Sequence, residues 1–170
     1  TNGWDAYLLG VLERDPGVGL ANCAELKTPE ERAGYLVRRQ RIDQHAVLEL
    51  SWAPAYVMVI DRERTPWFCF DEKMPGRKGM SDVDASLLVR DHKLKCVRHL
   101  HVQVFHPHKG SEQERVTLNT TTKQEELDCF GAQDAYMREK WGDFYVQAMQ
   151  DNHAMFSRSN PVFETPKWFQ

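Results

Sequence analysis

Four of the seven histidines in this 170-residue sequence fall inside one stretch, RHLHVQVFHPHKG, from Arg98 to Gly110. Apolar residues alternate from Lys95 to Phe105, which predicts a strand, and on a strand every second side chain shares a face. Cys96, Leu100, Val102 and Val104, with Arg98, would line one face; Val97, His99, His101, Gln103 and Phe105 would line the other. Successive residues of a face stand roughly 7 Å apart, given a rise of about 3.3 Å per residue. Two imidazoles so placed can hold zinc, iron or copper when further ligands arrive from elsewhere, and His106 and His108, flanking Pro107, are candidates for that role. No acidic ligand follows the pair closely, since position 105 is phenylalanine. We therefore prefer the plainer expectation, a half-exposed strand face and its exit loop decorated by histidines, with no bound metal.

The heptapeptide His99-Leu100-His101-Val102-Gln103-Val104-Phe105 resembles the signature of the histidine-triad nucleotide hydrolases and transferases, in the variant that ends in glutamine. The resemblance implies that His101 is the nucleophile taking up a nucleotidyl group, His99 its supporting neighbour and Gln103 the phosphate contact. Nucleotidyl transfer or phosphoanhydride hydrolysis would be the reaction. The match covers seven residues, and DHKLKCVR stands where that family carries a Gly-rich segment. Elsewhere chemistry is sparse. Gly76-Arg77-Lys78-Gly79 lacks the preceding strand and following helix of a phosphate cradle and reads as a plain loop. Glu30-Glu31 and Glu125-Glu126 read as first-turn carboxylates that favour a helix macrodipole. No GxSxG, HExxH or GxGxxG occurs, and we expect neither a cofactor nor catalysis.

The elements that must carry these residues follow from periodicity. WDAYLLGVLERD places Trp4, Tyr7, Leu8, Val11 and Leu12 at helical spacing and stops at Pro16-Gly17. GVGLANCAELK reads as a loop, and Thr28-Pro29-Glu30-Glu31 opens a helix expected from about Pro29 to Asp43. VLELSW is a strand, and Tyr56 to Ile60 and Trp67 to Phe70 read as a hairpin. A short helix over Val83 to Val89, capped by Ser81 or Asp82, precedes the histidine strand, and RVTLNT reads as one strand more. Leu127, Phe130, Met137, Trp141, Phe144, Ala148, Met149 and Met155 recur at helical spacing, as a core-packing ridge that Gly142 divides in two. The fold expected is α+β: a small antiparallel sheet of about four strands, flanked by N-terminal helices and a long C-terminal amphipathic helical segment. Residues 1–156 form one domain, and 157–170 an extended tail rich in proline and aromatics that docks on a partner.

Composition bounds the function. Lys and Arg total 22 against 25 for Asp and Glu, a formal charge of −3, so a phosphate backbone is a poor partner and nucleic acid is disfavoured. The longest apolar run, Ala55 to Ile60, is too short for a transmembrane span. Cys23, Cys69, Cys96 and Cys129 form no CxxC pair, and Cys69 and Cys96 sit in apolar or alternating segments where reduced cysteine behaves as a small buried hydrophobe. That points to a reducing intracellular compartment, and the non-Met first residue nudges towards an organelle. The expectation is a non-catalytic accessory or structural subunit of a larger assembly, a mitochondrial complex being one setting. It would meet other protein subunits through Trp4, Tyr7, Phe163, Trp168 and Phe169 near its ends.

Overall fold

The stretch from Val18 to Leu26, loop-like in its small residues, is a strand at the centre of the sheet. The computed structural model describes residues 4–26, 47–54, 57–76, 79–105 and 122–159, leaving aside the side chains of 24–26, 100, 101, 105, 123, 126 and 152–159. Along the described residues the order is α1 (Trp4–Arg14), β1 (Val18–Leu26), β2 (Val47–Leu50), β3 (Met58–Ile60), α2 (Ser81–Asp91), β4 (Lys95–Phe105), α3 (Lys123–Trp141) and α4 (Asp143–Ser159). The α+β arrangement is as expected, with one difference. Strand order is β2-β4-β1-β3, and the central pair, β1 and β4, runs parallel while both edges pair antiparallel, so the sheet is mixed. A parallel pair needs a long crossover, and α2 completes it immediately before β4.

The described elements stack in the order α1, sheet, α2, then α3 with α4. On one face of the sheet, Leu8 and Leu12 of α1 pack on Val18, Ala21 and Cys23 of β1 and Val97 and Val102 of β4. On the other, Ala85 and Val89 of α2 meet Leu20, Leu50, Phe68 and Cys96. The far side of α2 presents Val83 and Leu87 to Met137, Tyr145, Ala148 and Met149 of the C-terminal helices. A helix covered on both sides must bury polar groups, and each needs a partner. Ser86 Oγ accepts from the Ala53 amide at 3.0 Å and donates to the Asp82 carbonyl at 2.7 Å, tying α2 to the end of β2.

β1 is buried on both faces, which removes the polar alternation that marks a half-exposed strand. Gly19 permits this closeness: a Cβ there would stand 2.9 Å from Leu94 Cδ1 and 3.0 Å from Val89 Cγ1. Only hydrogen fits without displacing the α2 side of the core. The expected hairpin is also replaced. Met58–Ile60 pairs with β1, whereas Trp67 to Phe70 forms no strand and begins inside a turn closed by the Phe68 amide donating to the Thr65 carbonyl. Helix α2 is longer than expected, and neither Ser81 nor Asp82 caps it: Met80 occupies that position without a side-chain cap bond. The C-terminal segment divides at Gly142 as the sequence predicts, and Thr122 forms a reciprocal capping box with Glu125 at the start of α3. α4 runs on to Ser159, beyond position 156. The helix expected over 29–43, the strand expected at RVTLNT and residues 160–170 lie outside the described residues.

Candidate functional site

The histidine stretch does form a strand, but its faces are not the two that strict alternation gives. Cys23 of β1 pairs with His99 while the next residue, Ala24, pairs with Gln103, so β4 carries three extra residues between them. An odd insertion reverses the alternation beyond it. Val102 and Val104 consequently join Val97 in the core on the α1 side, and Gln103 no longer continues the row that starts with His99. His99 is 1% exposed, and its ring lies 5.5 Å from that of Tyr7, tilted by 57°. The half-exposed row of imidazoles is thus corrected at its first member: α1 covers His99, and Tyr7 is the lid. The His101 side chain, and both His106 and His108, fall outside the described residues. Gln103 is half-buried, and its Oε1 is buried without a hydrogen-bond partner. Among the described residues no group of three or more His, Cys, Asp or Glu is placed to hold a metal ion.

A cavity of about 360 Å³ opens beside His99, between α1 and the β2–β4 side of the sheet. Tyr7, Gly10 and Val11 form its helical wall, and Val47, directly opposite His99 in register, forms the strand wall. Arg14 and Asp15 line it where α1 ends. Asp15 is engaged, accepting from the Gly17 amide at 2.8 Å and pairing with Lys95 Nζ at 3.0 Å; the Lys95 hydrogen bond, more than any other cause, holds its carboxyl below the usual range.

A dense cluster of titratable groups among the described residues lies elsewhere, at the junction of α2, α3 and the loop before α2. Lys140 Nζ sits 2.6 Å from Asp71 Oδ2 and 2.7 Å from Asp84 Oδ1. Tyr136 donates to Asp71 at 2.7 Å and Trp141 Nε1 donates to Asp84 at 2.7 Å. One turn away, Tyr145 and Arg138 both bond Asp134, at 2.8 and 2.7 Å. Hydrogen bonds from Lys140, Tyr136 and the Lys73 amide lower the Asp71 carboxyl to about 2. For Lys140, burial opposes the charge, but bonds to Asp71 and Asp84 outweigh it and raise the amine. Tyr136 is raised by its bond to Asp71, and Tyr145 is raised chiefly by burial. Every shift moves its group away from neutrality, the reverse of what a proton-transfer catalyst needs near pH 7. The chemistry of this cluster is that of a clamp. Nearby, Gly76 and Gly79 are packing positions: both have positive φ, and a Cβ on either would fall within about 2 Å of Cys129 or Gln133 of α3, while Arg77 and Lys78 lie outside the described residues.

The expected contact residues separate. Trp4 is 44% exposed at the start of α1, Tyr7 is turned inward, and Phe163, Trp168 and Phe169 lie outside the described residues. Leu127 and Phe130, expected in the core, are instead exposed at 47% and 39%, as are Leu9 and Phe70. Helical spacing showed that Leu127 and Phe130 share a face but not that this face stays largely open, with one edge of the Phe130 ring against Gly79. Cys69 is likewise exposed where burial was expected, whereas the Cys96 thiol is buried and burial pushes it up to about 12. No described helix is long and apolar enough to cross a membrane. No family model matches the chain, and comparisons with curated proteins and with solved structures give no match.

Proposed function

We propose that this chain is a non-catalytic accessory subunit of a larger protein assembly, and that it meets its partner with the N-terminal turns of α3. One observation carries the reading: Leu127 and Phe130, one turn apart on the same helix, are exposed, while the C-terminal turns of that helix are locked to the body through Met137, Lys140 and Trp141. Large apolar side chains presented by a rigid helix suit the anchors of a protein interface, where aromatics are enriched and charge is depleted. The clamp around Lys140 supplies that rigidity, since it fixes the axial position of α3 against α2. Trp4 offers a second exposed aromatic on α1.

Size-exclusion chromatography with light scattering, on protein drawn from its native source, tests this reading. The expected outcome is a mass well above that of the single chain, with defined partner chains in the peak. The double variant Leu127→Asp/Phe130→Asp, which alters only exposed positions, should elute as a free folded monomer. A wild-type protein that elutes alone, or a double variant that stays in the assembly, contradicts the proposal.

A further inference from the structure

Gly10 stands in the middle of α1, where glycine weakens a helix relative to alanine, and nothing in the packing asks for it. A Cβ at this position would meet no heavy atom within 4 Å. The contrast with Gly19, where a Cβ would press on Leu94 and Val89, is sharp: one glycine admits a neighbour and the other keeps a space. That space is the cavity beside His99. Ala6, Tyr7, Gly10 and Arg14 recur at helical spacing and all line it, so position 10 lies at the centre of the wall that α1 presents.

We infer that this cavity is a binding site for a small, flat, largely apolar molecule of about the size of two fused rings. Its volume of about 360 Å³ is at the lower end of small-molecule sites, too small to enclose a nucleotide comfortably. The walls are suited to a ring. Tyr7, held at 57° to His99, gives an aromatic surface, and Val11 and Val47 close the sides. Both carboxylate oxygens of Asp15 are already bonded, so apart from the Arg14 guanidinium and the His99 ring an occupant meets hydrocarbon and the Tyr7 ring. The site is independent of the exposed α3 face, and either inference can fail without the other.

Titration of the ¹⁵N-labelled protein with indole, 2-naphthol and quinoline, followed by amide NMR, is the test. Saturable shifts confined to α1, the start of β2 and the His99 region are expected for at least one of the three. Gly10→Leu should stay folded and weaken that binding by about tenfold or more. Gly10→Ala is the control should the larger side chain disturb folding: it should raise the melting temperature and still weaken binding measurably. Absence of saturable shifts with all three compounds in the wild type would overturn the inference, as would unchanged affinity in the glycine variants.

Discussion

Helix α2 makes two seams, and they are built from opposite materials. Towards the sheet, Ala85 and Val89 meet Leu20, Leu50, Phe68 and Cys96 in a mainly apolar joint, to which Ser86 adds a bond from the Ala53 amide and Arg90 one to the Ser51 carbonyl. Towards the C-terminal helices, Val83 and Leu87 still pack on Met137 and Tyr145, but Asp84 reaches out to Lys140 and Trp141, and Lys140 reaches on to Asp71. An apolar seam is strong but nondirectional. The charged seam adds direction, because one ammonium satisfies two carboxylates only at a single position of α3 along α2. The first seam holds the sheet together. The second sets how α3 is presented.

The contrast can be broken at either joint. Leu20→Ala, at the apolar seam, should have the largest effect, about 2–5 kcal/mol by urea unfolding, nearly the same at pH 7 and pH 5. Lys140→Met should cost less, about 1–3 kcal/mol, mostly because buried Asp84 is left without its counter-charge. Adding Asp84→Asn to that variant should restore part of the loss; a further loss would refute the counter-charge explanation.

Acid should separate the seams more finely. Asp71 is lowered from 3.8 to about 2, so its contribution is complete above about pH 4 and disappears as pH falls towards 2. We expect about 1–2 kcal/mol of stability to be lost over that window, beyond the loss shared by the other carboxylates, and Asp71→Asn to remove this component. An acid profile identical in wild type and Asp71→Asn would separate the clamp from pH sensitivity altogether. The smallest effect belongs to the free end of α3, where Thr122→Ala removes the capping box at a cost of about 1 kcal/mol or less, read as a lower helix melting temperature with the sheet unaffected.

The described helices were legible because their signals are local. α1 follows the spacing of Tyr7, Leu8, Val11 and Leu12, and the division at Gly142 follows from a glycine within a helical period. β1 was not, because a strand covered on both faces loses its alternation, and Gly19 and the residues Ala21, Asn22 and Cys23 resemble a turn. The histidine strand shows the boundary within one element. Its existence was readable from alternation, but the three-residue shift after His99 and the cover supplied by Tyr7 depend on β1 and α1, far away in sequence. At the clamp, Tyr136 and Lys140 stand four apart and visibly share a helix face, yet Asp71 lies 69 positions from Lys140 and nothing local joins them. Leu127 and Phe130 mark the same limit: periodicity orients a face, and tertiary packing decides whether it is covered.

Hydrogen–deuterium exchange, compared between the isolated chain and the same chain in its native assembly, tests most directly whether the free end of α3 is the working surface. Protection should rise over residues 124–132 and stay unchanged in β1, β4 and the clamp turns from Tyr136 to Trp141. Equal exchange over 124–132 in the two states, with new protection appearing elsewhere, would contradict the account.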